Sequence, residues 1–211
     1  MRKTTIIGLL LIAASFVLGL YFYPRMPQEM ASHWNTTGEV DDYMAKSWGL
    51  FLMPAVSLLM LLVFLVLPKI DPLKDNYKKF RKYYDGLILA LIIFLFYINL
   101  LSLAWNLGCR FNMTTMLLPA LGILFYYTGV LLENAKRNWF VGIRTPWTLA
   151  SETVWEKTHA LGGKMFKAAG ALALLGIIFQ GYAMYFLLAP VIFTALYTLV
   201  YSYLEYRKLE K

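Results

Sequence analysis

Six long apolar stretches, parted by short polar segments, dominate the chain: residues 4–23, 49–67, 86–107, 114–132, 168–182 and 187–204, none containing Asp, Glu, Lys, Arg or His. A bilayer core about 30 Å thick needs about 20 apolar residues in a helix rising about 1.5 Å per residue. The runs are continuously apolar and do not alternate, so they predict helices rather than barrel strands. From Ala168 to Tyr206 there are 39 residues with no charge before Glu205; as one helix they would reach about 58 Å, nearly twice the hydrocarbon thickness. That run must turn back, and the turn is expected around residues 181–188, where Tyr182, Tyr185 and Phe186 suit the interface. The expectation is an all-α, polytopic membrane protein with six transmembrane helices, five spans and a re-entrant piece being the alternative. Arg2 and Lys3 precede the first run, as in a secretory signal, but the run is long and Tyr-Phe-Tyr-Pro follows it instead of a small-residue cleavage site. It reads as an anchor that stays.

Composition agrees. Hydrophobic residues make up 60% and charged residues 15% of the 211, too little polar surface for a soluble domain. The net charge of +8 would suggest nucleic acid in a soluble protein; here its distribution gives a different reading. The segments 2–3, 69–82, 136–167 and 207–211 hold 17 of the 20 lysines and arginines, and the opposite side holds only Arg25, Lys46 and Arg110. The positive-inside rule therefore places both termini in the cytoplasm, N-in and C-in, in a multi-pass protein of the cell membrane. Anionic inner-leaflet lipid is a sufficient partner for the charge, and no direct nucleic-acid contact is expected. Lys74, Lys78 and Lys82 lie four apart and would form one basic stripe on a helix. Two parts follow: residues 1–67, a two-span hairpin with an outer loop over 24–48, and residues 68–211, a four-span region with an inner loop over 133–167. Pro54, Pro119 and Pro190 fall near the outer ends of the helices running inward, where a first-turn proline is tolerated.

The polar side chains inside the spans are few. Asn99, Ser102 and Asn106 share one helical face and read as packing glue, the sharper alternative being the lining of a polar passage. No ionisable group sits at membrane depth, which weighs against a proton-coupled transporter. Cys109 alone forms no internal disulfide. In the outer loop, His33, Trp34 and Asn35 precede Gly38, which predicts a turn with positive φ at the glycine; Asp41 and Asp42 follow, and Lys46 leads into the second span. A small ordered loop held by a His33–Asp41 hydrogen bond fits these residues better than a metal site. The inner loop carries Trp139, Trp147 and Trp155; Pro146 interrupts it, and Ser151 is an N-cap for a short helix ending near Gly162. On that helix Glu152, Trp155, Glu156 and His159 fall at i, i+3, i+4 and i+7. Two carboxylates and an imidazole have the composition of a metal or proton-transfer set; ordinary helix electrostatics is the commoner origin of the same spacing.

At these two loops the chain resembles the SdpI/YfhL family of bacterial membrane proteins. The likeness is carried by Asn138-Trp-Phe-Val-Gly-Ile-Arg-Thr-Pro-Trp-Thr-Leu-Ala-Ser, then Val154-Trp and Thr158-His. The outer loop is similar to a small uncharacterised domain that often precedes that region, through Pro27, His33-Trp-Asn, Gly38, Asp42, Tyr43 and Lys46. The resemblance implies an immunity and signalling role: protection against a secreted membrane-active toxin, and retention of a cytoplasmic repressor at the membrane. It implies no cofactor, no metal and no catalytic residue. An outer surface of His33, Trp34, Asn35, Gly38, Asp42 and Lys46 would meet the toxin. An inner surface of Asn138, Gly142, Arg144, Thr145, Pro146, Trp147, Glu152, Trp155 and His159 would meet the repressor. A channel, transporter or flippase is the alternative, and an enzyme at the inner interface a third.

Overall fold

The computed structural model describes residues 2–209; Lys211, counted among the inner basic residues, lies outside them. Six helices are long and apolar enough to cross a membrane. They are α1 (Lys3–Phe22), α2 (Lys46–Ile70), α4 (Arg81–Asn106), α5 (Met113–Asn134), α7 (Glu152–Ala173) and α9 (Ala183–Arg207), with the short α3 (Asn76–Lys79), α6 (Pro146–Ala150) and α8 (Leu175–Ile178) between them. The protein is a six-span helical membrane protein. The last apolar run breaks where a turn was needed, though slightly earlier than residue 181: Phe179 leaves helical geometry at φ −103° and ψ 64°, and a single 3₁₀ turn over Gln180–Tyr182 leads into α9. The three prolines lie deeper than the first turn, inside α2, α5 and α9 in their second or third turns.

The helices group in two sets of three. Helices α1, α2 and α4 pack on one another, α7 packs against both α5 and α9, and α4 meets α5 to join the sets. Apolar burial gives no drive between helices in lipid, so packing at close range must hold them. The pair α5–α7 achieves this with glycines seven residues apart on each helix. A Cβ added at Gly129 would stand 2.4 Å from the Gly163 carbonyl oxygen, and one at Gly170 would stand 2.4 Å from that of Gly122. The two backbones touch directly. In the first set, α1 turns Gly8, Ile12, Ser15 and Gly19 inward. Its opposite face exposes Leu10, Val17 and Leu20, as do Ile123 of α5 and Phe193 of α9; these surfaces suit lipid.

One departure from all-helix structure has consequences for the site. The loop expected to face outward, and named outer on that expectation, folds as an antiparallel hairpin, β1 (Glu29–Trp34) and β2 (Val40–Ala45), with irregular register between Ala31 and Trp34. Met30 of β1 is wholly buried and packs with Met26, Leu50 and Leu103. At the other end, α7 does not stop near Gly162. Gly162 and Gly163 are buried in contacts with Ile143, Thr198 and α5, and the helix continues to Ala173. The connection after α5 is therefore short, residues 135–151, with Ser151 capping α7 through the Val154 N–H.

Candidate functional site

The outer end is ordered by amides acting on backbone. Asn106, at the end of α4, pairs with Ala31 as a further strand would: Ala31 N–H donates to Asn106 Oδ1 at 2.8 Å, and Asn106 Nδ2 donates to the Ala31 carbonyl at 3.1 Å. Asn35 forms the tip. Its Oδ1 accepts from the N–H of Thr37 and of Glu39, both at 3.0 Å, and from the Thr37 hydroxyl at 2.6 Å. Gly38 takes φ 84°, the left-handed conformation its position predicts. Asn112 does two jobs, capping α5 at the Thr115 N–H and donating through Nδ2 to the Thr37 carbonyl at 2.6 Å. Outside this frame stand exposed polar groups: His33 Nδ1 lies 2.5 Å from Asp41 Oδ1, and Asp42 is free of the hairpin core. Trp34 is set edge-on to Trp105, and Lys46 lies over the Tyr23 ring. A cavity of about 390 Å³ opens between the hairpin tip, the start of α5 and the α8–α9 connection, lined by Thr37, Thr114, Thr115, Gln180 and Tyr185.

The inner end is ordered by buried polar side chains. Asn138 has no exposed surface, and four of its hydrogen bonds turn on its own loop. Nδ2 donates to the carbonyls of Lys136 and Val141, and Oδ1 accepts from the N–H of Phe140 and Val141. Tyr77 Oη lies 3.1 Å from that same Oδ1 and 3.2 Å from Asp71 Oδ2. The phenol hydrogen is shared between these two acceptors, which ties Asn138 to Asp71. Burial, and then the Asp71 carboxylate beside it, hold the Tyr77 phenol protonated well above the ordinary tyrosine range. Asp71, 2% exposed, also accepts from the N–H of Leu73 and Trp139. The first inner connection and the second are thus one hydrogen-bonded cap.

His159 belongs to this cap as well. Its ring stacks on Trp155 at 3.8 Å; Nδ1 lies 2.8 Å from the Trp155 carbonyl and Nε2 lies 3.0 Å from the Ile143 N–H. A carbonyl only accepts and an N–H only donates, so the partners assign the neutral tautomer with its proton on Nδ1. Gly142, at φ 123°, passes beside the ring, where a Cβ would stand 2.4 Å from Nε2. Thr145 and Thr148 cap α6 reciprocally around Pro146, and the Thr145 hydroxyl reaches Ser202 of α9 at 3.0 Å. Trp155 Nε1–H donates to the Ala135 carbonyl.

The sequence-predicted inner residues therefore separate. Asn138, Thr145, Trp155 and His159 are buried and hold the cap's shape, in place of the partner-facing positions expected of them. Gly142 and Trp147 are half-buried, and Arg144, Pro146 and Glu152 are exposed. The common face expected of Glu152, Glu156 and His159 is divided: both glutamates point out, Glu156 to Lys136 at 2.7 Å, while the imidazole is enclosed. Among the described residues no three His, Cys, Asp or Glu side chains converge as a metal site.

Residues 134–202 match the SdpI/YfhL protein family, a segment running from the end of α5 through the inner cap into α9. That part of the chain is similar to the SdpI/YfhL family. Ahead of its SdpI/YfhL segment, residues 10–58 match a domain of unknown function (DUF1648), covering most of α1, the hairpin and the first half of α2. The chain is 26% identical to the Immunity protein SdpI of Bacillus subtilis (strain 168) over 211 residues, 98% of each protein. No solved structure matches it. Asp71 and Tyr77 fall between the two matched segments, yet they fasten the SdpI/YfhL cap to the helices before it. Sequence reading overlooked them. The available signals were an Asp-Pro pair closing α2 for Asp71, and an Asn three residues ahead of Thr115 for Asn112.

Proposed function

We propose that this is a membrane immunity protein that protects its cell against a secreted membrane-active toxin. The observation that carries the reading is the match to the Immunity protein SdpI along 98% of both chains, with hairpin and inner cap in one polypeptide. The toxin meets the outer end, where the hairpin holds His33, Asp41 and Asp42 in water and its tip borders a neutral polar cavity. A cytoplasmic repressor is held at the inner end, through the surface the cap leaves exposed around Trp139 and Arg144, whose guanidinium is steered by a hydrogen bond to the Trp139 carbonyl. Binding suffices for both events, and the reading assigns no catalytic residue.

The orientation that this requires is N-in and C-in. It is supported by contacts that gather the basic segments at one end of the bundle: Arg2 with Asp85, Tyr77 with Asn138, and Thr145 with Ser202. Among the described residues, that end carries 16 of the 17 basic residues that the positive-inside rule assigns to the cytoplasm. The test is survival of a sensitive host expressing the chain, challenged with membrane-active peptide toxins beginning with any encoded beside its gene. Reporter fusions at both termini check orientation in the same cells. Survival equal to that of cells without the protein, at verified membrane levels, would sink the immunity reading.

A further inference from the structure

At the end of the bundle that carries the chain's N-terminus, a cleft of about 670 Å³ lies between the start of α1, the end of α2, α3 and the start of α4. Arg2, Lys69, Lys74, Lys78 and Arg81 line it, with Asp75 the one carboxylate among the lining residues. The charges are far from balanced. Arg2 and Arg81 share a single carboxylate, Asp85, at 2.9 and 3.0 Å. Lys78 is paired with Asp75 at 2.7 Å, an ion pair that also holds the Asp75 carboxyl below its ordinary range. Lys69 and Lys74 have no carboxylate partner among the described residues. Five cations thus face two carboxylates.

The cleft also has an apolar wall. Leu65 and Pro68, from the last turns of α2, line the side of the cleft built by a membrane-spanning helix. A volume of this size takes a small ligand rather than a peptide segment. We propose that this cleft is a discrete binding site for a phosphate-bearing anion, an anionic phospholipid whose phosphate sits between Lys69 and Lys74 and whose acyl chains run along Leu65 and Pro68. It differs from a diffuse attraction to an anionic leaflet because it is concave, and because two of its cations have no protein counter-charge. It stands apart from the immunity reading and survives or fails without it.

The test is native mass spectrometry of the full chain released from nanodiscs that contain both phosphatidylethanolamine and phosphatidylglycerol. Retained phosphatidylglycerol in excess over phosphatidylethanolamine is the expected result. Neutralising one basic residue near an anionic headgroup weakens binding about fivefold. The pair Lys69→Gln and Lys74→Gln should therefore lower the lipid-bound fraction by roughly tenfold or more. The charge-matched pair Lys82→Gln and Lys164→Gln, outside the cleft, should leave it unchanged. Should the first pair fail to fold, each single variant carries the test with a smaller loss. In a second arm inorganic phosphate is titrated against the loaded and the lipid-free protein. Phosphate that binds at Lys69 and Lys74 and displaces the lipid supports the site with a soluble ligand as its source; phosphate without effect supports the lipid. Equal loss in both charge pairs, or no phosphatidylglycerol preference together with no phosphate binding, overturns the proposal.

Discussion

The two ends of the bundle are both read as loops in the sequence, and they are built on opposite principles. At the outer end, side chains from the helices, Asn106 and Asn112, reach out to satisfy strand and turn backbone. Of the loop's own polar residues, Asn35 ties the tip, while His33, Asp41 and Asp42 are left to solvent. At the inner end the loop's own polar residues are consumed: Asn138, Thr145 and Thr148 are buried and bonded within the cap or to α9, and His159 of α7 bonds the loop at the Ile143 N–H. A polar group in an unusual run of sequence can therefore be a structural tie. The inner cap is expected to be sensitive in stability and the outer end in response.

The hardest test of that contrast is Asn138→Ala. It strands four backbone partners, two of them in fully buried bonds, and a loss of about 3 kcal/mol is expected, since each unsatisfied buried group costs about 1–3 kcal/mol. Thermal unfolding of the purified protein in detergent reads it; a loss under about 1 kcal/mol would mean that the cap is wet and loosely held. Gly142→Ala comes next. The added methyl meets His159 and the residue must hold a left-handed φ, so about 2 kcal/mol is expected in the same measurement.

Asn106→Ala sharpens the comparison from the outer side. Losing the two bonds to Ala31 should cost about 1 kcal/mol and raise hydrogen exchange in β1 and β2, with exchange at residues 135–151 unchanged. The smallest expected effects on stability are those of Asp41→Ala and Arg144→Ala, each within about 0.5 kcal/mol because both residues are exposed. Their functional readouts should divide: toxin survival falls in the first, and repressor recruitment falls in the second, at matched protein levels. Arg144→Ala with both readouts intact would reduce the inner cap to a connector.

Where local chemistry decides a feature, the sequence was legible. Six uncharged windows became six helices, Gly38 took its positive φ, and His33 met Asp41. Ser151 capped the helix it precedes. Where distant contacts decide, it was not. Gly162 and Gly163 have the look of a helix stop, yet they are smooth surface against which α5 and the Ile143 side chain lie, and the fifth span starts some sixteen residues earlier than its uncharged window because Lys164 and Lys167 interrupt hydropathy without interrupting the helix. Lys167 pairs with Glu133 of the neighbouring α5. The hairpin was missed because its strands are short and its one buried anchor, Met30, is covered by residues of α2 and α4 that lie far along the chain. The fate of His159 could not be read from helix spacing, since the group that turns it inward is the Ile143 N–H, on a loop sixteen residues away.

The glycine contact between α5 and α7 bears on how the chain assembles. Leucines or methionines brought to a helix interface must give up rotamers, at roughly 0.5–2 kcal/mol each. Gly122, Gly129, Gly163 and Gly170 have none to give up, so the backbones meet with only the ordering of the helices themselves opposing them. The pair α5–α7 can accordingly close at a low side-chain entropy cost once both have entered the bilayer. The residues between them are those of the inner cap, whose ends that union brings together and to which α9 adds Ser202.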